Sequence, residues 1–160
     1  MSTNAFCVGS SLTVPTNQTG SFDVSNAFQA YLSDANGSFL NPILIGTSAN
    51  PNSIACTVPT YLPSSEDYKV MIRSSSPVVL SLGSTANLSI TSPSVNLTSP
   101  LNDILNLTKT EKASQTLNAT NKISGSSIVI FKSGNYVQLN PRFTAEAGTV
   151  FEAKVEDICL

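Results

Sequence analysis

Histidine and tryptophan are absent from this 160-residue chain, and charged residues make up only 11% of it, where globular domains carry about 25%. Without imidazole there is no Ser-His-Asp or Cys-His nucleophile site and no nitrogen ligand for zinc or haem. Catalysis would have to rest on carboxylates, lysine or an oxygen-bound metal. The ten acids (Asp23, Asp34, Glu66, Asp67, Asp103, Glu111, Glu146, Glu152, Glu156 and Asp157) are scattered along the chain. The eight glycines also stand apart, so no phosphate-cradling loop is spelled out. A net charge of −2 gives no electrostatic footprint for nucleic acid. No apolar run approaches the ~18 residues that a membrane helix needs. The residues therefore name no catalytic group, no cofactor and no metal ligand, and the expectation is that the protein is not an enzyme.

What replaces charge is neutral polarity. Ser, Thr and Asn number 25, 16 and 15, about a third of the chain, over a 41% apolar set. With seven Phe and four Tyr the composition is that of a folded domain rather than a disordered one.

Three cysteines, Cys7, Cys56 and Cys159, lack CxxC spacing. One reading joins Cys7 to Cys56 across a sandwich in an oxidising compartment, with Cys159 left over. The other leaves three small buried thiols. The N-terminal Met1-Ser2-Thr3-Asn4-Ala5 has neither a basic nor an apolar leader segment, so no signal peptide is expected in this chain.

Apolar residues recur with a period of two nearly everywhere, as in strands. Ser11-Leu12-Thr13-Val14, Phe28-Gln29-Ala30-Tyr31-Leu32, Ile43-Leu44-Ile45, Ser53–Val58, Tyr68–Arg73 and Ala86–Ile90 each read as one. Asn36-Gly37 marks a hairpin turn after Leu32. Asp34-Ala35-Asn36-Gly37-Ser38 also alternates oxygen donors like a calcium loop. The carboxylate needed at the twelfth position is Ile45, so the hairpin is the better account. About seven short strands in ninety residues predict an antiparallel β-sandwich over 5–90.

Thr91–Pro100, with two prolines among hydroxyls, reads as part of a linker over 91–112. Leu101–Leu107 fits a helical turn or a strand equally well. From Ala113 onward short apolar triplets separated by turns, Ile128-Val129-Ile130 and Val137-Gln138-Leu139, suggest stacked rungs of a small β-solenoid, with two plain hairpins as the alternative. The expected organisation is 5–90 sandwich, 91–112 linker and 113–160 small β-stack. The fold class is all-β.

Two resemblances agree with this division. Residues 5–90 resemble the Ig-like β-sandwich repeats of large secreted and cell-surface proteins of Bacteroidota, through Phe6-Cys7-Val8-Gly9-Ser10, Leu32–Phe39, Ile45-Gly46-Thr47 and Tyr68–Arg73 followed by Ser74-Ser75-Ser76-Pro77. Residues 113–159 resemble the three-coathanger-stack module, through Val129–Phe143 continued by Thr144–Val155. Where that family shows Gly after Pro, this chain has Arg142. The resemblance implies a non-catalytic extracellular part: a spacer or adhesion-associated module at the cell surface, its partners being other domains of a longer parent or surface molecules.

A carbohydrate- or surface-partner-binding module is the second reading, with polysaccharide the ligand class and Tyr31, Tyr61, Tyr68 and Tyr136 the candidate stacking platform. Tyr31 and Tyr68 fall on strand faces where core packing is the alternative. A third reading is a self-assembling surface filament, because edge strands in a charge-poor sheet are ready to pair with another chain.

Overall fold

The computed structural model describes residues 5–50, 52–84 and 86–159. Met1–Asn4, read above for a leader, lie outside the described residues. Among the described residues there are seventeen strands and no helix, so the protein is all-β. The chain divides into two units, with the boundary between residues 90 and 91.

The first unit holds β1 (Ala5–Cys7), β2 (Ser11–Pro15), β3 (Phe28–Leu32), β4 (Ile43–Ser48), β5 (Ser53–Thr57), β6 (Ser65–Tyr68), β7 (Val70–Ser74) and β8 (Leu88–Thr91). One sheet runs β2-β5-β4-β3-β7 with antiparallel neighbours, the other β1-β8-β6. A single core lies between them. Phe28, Ala30, Leu32, Ile54 and Cys56 come from the first sheet, and Tyr68, Leu88 and Ile90 from the second. The period-two pattern is thus obeyed: 28, 30 and 32 are buried, and 29 and 31 are half-buried.

Tyr68–Arg73, which reads as one strand, is two. The chain changes sheets at Lys69, between β6 and β7. Buried Ser33 fills the gap in the ladder: its N–H donates to the Lys69 carbonyl at 2.9 Å and its hydroxyl accepts from the Lys69 N–H at 2.9 Å. Alternation survives the crossing, since Tyr68 and Val70 on either side of Lys69 are both buried.

The turn after β3 forms as expected. Asp34 accepts from the N–H groups of Asn36 and Ser38 with one carboxylate oxygen, and Gly37 adopts φ +78°. That oxygen is engaged by backbone, as a hairpin requires.

The second unit departs from the expectation in one respect. It contains β9 (Ser94–Leu97), β10 (Ile104–Leu105), β11 (Thr108–Ala113), β12 (Thr116–Ala119), β13 (Lys122–Ser124), β14 (Ile128–Ser133), β15 (Tyr136–Leu139), β16 (Thr144–Ala145) and β17 (Val150–Val155). They form three parallel sheets, β9-β12-β15, β10-β13-β16 and β11-β14-β17. Ser94, Thr116 and Tyr136 share a register position, 22 and then 20 residues apart, while the β11-β14-β17 sheet steps by 20 and then 22 and the β10-β13-β16 sheet by 19 and then 22. The unit is a solenoid of three rungs, and parallel pairing rules out the two hairpins.

Residues 91–112 are therefore no linker. They hold β9, β10 and most of β11, the first rung. Their polar composition is compatible with burial because a rung this small needs only a few inward apolar residues: Val95, Leu97, Ile104 and Ala113. The prolines sit at corners, and the Pro93 carbonyl accepts from the N–H groups of Gln115 and Thr116. The apolar triplets 128–130 and 137–139 belong to different sheets of successive rungs, so their nine-residue spacing is not the period.

Asparagine carries much of the cornering. Asn102 Oδ1 accepts from the Thr98 N–H at 2.9 Å, Asn121 Nδ2 donates to the Asn102 carbonyl at 2.8 Å, and Asn106 Oδ1 accepts from the Ser126 N–H at 3.0 Å. Asn118 donates to Asn96 at 3.0 Å on the same register row, an amide ladder along the outside of the stack. Gly134 is required by proximity: a Cβ there would lie 2.0 Å from the Ser114 carbonyl oxygen.

The Cys7–Cys56 bridge does not form. Cys56 is a free, buried thiol, while Cys7 and Cys159 are disulfide-bonded. The reason is strand alternation, which turns Cys56 into the core beside Ile54 and Val58. Burial pushes its thiol up to about 11.

Candidate functional site

A groove of about 410 Å³ lies on the sandwich unit. Its apolar floor is Phe22, Phe28 and Ile72, and its rims carry Thr16, Asn17, Gln18 and Thr19 on one side and Val79, Leu80 and Ser81 on the other. Phe22 meets Phe28 edge-to-face at 5.1 Å, which fixes the floor against β3.

The second rim is built by hydroxyls. After β7 the chain turns at Pro77 and comes back alongside the strand, with a bridge between Arg73 and Leu80. Ser74 N–H donates to the Val79 carbonyl and Ser74 Oγ accepts from the Val79 N–H, both at 2.9 Å. Ser81 repeats the device on Ile72, accepting from its N–H at 2.9 Å and donating its own N–H to the carbonyl at 2.8 Å. Held this way, Val79 and Leu80 stay half or more exposed instead of entering the core.

A smaller recess of about 210 Å³ shares Gln18, Phe22 and Phe28 and adds Asp23, Val24 and Asn26. Asn26 is 6% exposed. Its Oδ1 accepts from the backbone of Ser75 and Ser76 at 2.9 and 2.8 Å, while its Nδ2 has no partner among the described residues. The Asp23 carboxylate, which lines this recess, accepts from the Ser76 hydroxyl.

Among the described residues no ionisable side chain lines the main groove. Its lining offers apolar contact and neutral hydrogen bonds. Among the described residues no group of three or more His, Cys, Asp or Glu side chains could hold a metal ion. No helix of the described residues is long and apolar enough to cross a membrane.

The tyrosine platform is not assembled. Tyr68 is wholly buried, with its hydroxyl donating to the Pro63 carbonyl at 2.9 Å. Burial, aided by the Asp34 charge, pushes the pKa of that hydroxyl above the usual tyrosine value. Tyr31 is half-buried and donates to Gln29 at 3.2 Å. Tyr61 and Tyr136 are exposed but belong to different units. The groove's aromatics are instead Phe28, which opens a strand read from its period, and Phe22, which periodicity did not single out. Val78-Val79-Leu80 directly after a proline was the one available sign that apolar groups stay outside there.

Ionic groups gather on the solenoid. Lys122 pairs with Glu146 at 2.6 Å, and that hydrogen bond raises the lysine above its ordinary value. Lys112, Lys132 and Lys154 share one register row, and Glu156 closes on Lys132 at 2.7 Å. The Lys132 hydrogen bond holds the Glu156 carboxyl below the usual range, with the charges of Lys154 and Lys112 adding to it.

No protein-family model, curated protein or solved structure matches this chain.

Proposed function

We propose that this chain is a non-catalytic structural module of an extracellular or cell-surface protein, presenting or spacing other domains. The observation that carries the reading is what its hydroxyls and amides bind. Ser33, Ser74, Ser81, Ser133 and the asparagines at the solenoid corners hydrogen-bond the chain's own backbone, where they fix turns and sheet crossings. A disulfide involving Cys7 and Cys159 supports an oxidising compartment. The resemblance of both halves to surface modules of Bacteroidota points the same way. Mass spectrometry of the unreduced, denatured protein tests the compartment: one free thiol, at Cys56, agrees with it, and three free thiols from native secreted material contradict it.

A second reading rests on the groove between Thr16–Phe22 and Val79–Ser81. Its apolar floor and neutral polar rims suit an uncharged polar ligand such as a saccharide or an extended peptide. A glycan array would decide. A saturable hit abolished by Phe22→Ala supports binding there, and a blank array, or a hit that Phe22→Ala leaves unchanged, removes that role from the groove.

A further inference from the structure

The two ends of the solenoid are built differently. On the first rung the inward register positions above Val129 and Phe131 are Lys109 and Glu111, joined by an ion pair at 2.6 Å. Charges at such positions of an outer strand discourage another chain from adding there. On the last rung the same columns end in Phe151, Ala153 and Val155. Val129, Phe131 and Ser133 one rung earlier are at 0% exposure, whereas Val155 is 60% exposed and Ala153 is exposed. Among the described residues β17 pairs with β14 alone, leaving its second edge unmatched.

The sequence of that edge is its own complement. In Phe151-Glu152-Ala153-Lys154-Val155, an antiparallel copy centred on Ala153 sets Glu152 opposite Lys154 twice and Phe151 opposite Val155 twice. In antiparallel pairs opposed residues share a face, so the charges meet on the outer surface and the apolar groups on the inner one. Glu152 and Lys154 now pair within one strand at 3.0 Å, both nearly half exposed, and are free to exchange partners.

We propose that two copies of this chain join tail to tail, β17 against β17, about a two-fold axis through Ala153. The second copy supplies hydrogen-bond partners to the open edge and covers the apolar end of the core. Head-to-tail addition would set Phe151 and Ala153 on the Lys109–Glu111 pair, so the association closes at two copies and does not propagate as a filament.

Sedimentation equilibrium of the full chain over a concentration series, with far-UV circular dichroism to confirm folding, tests this. The wild type should approach twice the chain mass. Glu152→Lys and Lys154→Glu each oppose like charges at two places and should weaken the dimer about tenfold or more, given the size of cross-strand charge pairs. The double exchange E152K/K154E restores complementarity and should restore the dimer. Ala153→Cys, lying on the axis, should cross-link to itself. A folded wild type that stays monomeric, larger polydisperse species, a dimer indifferent to Lys154→Glu, or a folded double variant that fails to recover would each overturn the proposal.

Discussion

Phe131→Ala should remove most of the stability of the solenoid unit. Phe131 is at 0% exposure and packs edge-to-face on Phe151 at 5.1 Å and Phe143 at 6.1 Å, and Phe143 and Phe151 in turn lie 5.0 Å apart. A buried aromatic of this size hides about 150–250 Å². At about 25 cal/mol/Å² that is on the order of 4–6 kcal/mol, part of which the remaining Cβ retains. Large-to-small changes at such sites cost about 3–5 kcal/mol. The unit spans residues 91–160, and cores of this size rarely supply more than about 3–5 kcal/mol. The variant should therefore leave this unit at or near its unfolding midpoint in water. The register offers an internal control. Glu111 precedes Phe131 in the same column, partly solvated and ion-paired, so Glu111→Ala should cost no more than about 1 kcal/mol. Urea titration followed by circular dichroism and tyrosine emission reports both, since Tyr136 is the sole tyrosine beyond residue 90. A loss below about 1 kcal/mol for Phe131→Ala, or equal losses for the two variants, would refute the stacked core.

Three further outcomes are expected. Arg142 occupies φ +87°, a region where a Cβ is strained. Arg142→Gly should raise stability by about 0.5–1 kcal/mol after the glycine's greater unfolded-state entropy is counted, and a loss in thermal or urea unfolding would contradict that. The Cys56 thiol, pushed up to about 11 by burial, should resist iodoacetamide at neutral pH until the sandwich unfolds; rapid alkylation of native protein would refute its placement. Because Glu156 is held below the usual carboxylate range by Lys132, the unfolded chain takes up that proton first as pH falls. Its contribution is present in full above the usual range and is lost as pH falls through the lowered folded value. Thermal melts should show Glu156→Gln less stable than wild type at pH 7 and indistinguishable in strong acid; a gap that persists in acid would assign the effect elsewhere.

The sandwich was readable because its strands are buried on one face, so that Phe28–Leu32 and Ser53–Val58 display the period directly. The crossing at Lys69 was not, since a strand that changes sheets keeps the same alternation on both sides. The solenoid was half readable. Its middle rung is covered from both sides and carries Val129 and Phe131, an apolar signal. Its first rung ends the stack, replaces those residues with Lys109 and Glu111, and so resembles a polar connection. Strand pairs some 20 residues apart leave no local mark when the repeat drifts between 19 and 22. The cysteine pairing escaped for a related reason: Cys56 follows the inward rhythm of β5, which marks a core thiol more than a bridge. The groove escaped because hydroxyl-to-backbone bonds at Ser74 and Ser81 decide which way Val79 and Leu80 face.

Residue-resolved amide hydrogen exchange over 91–160 bears most directly on the architecture. If the first rung is hydrogen-bonded as β9 and β11 onto β12 and β14, the amides of 94–97 and 108–113 that face the second rung should exchange slowly and on a common timescale with those of 128–133. Amides exchanging freely throughout 91–112, beside a protected 113–155, would restore the linker and contradict the three-rung stack.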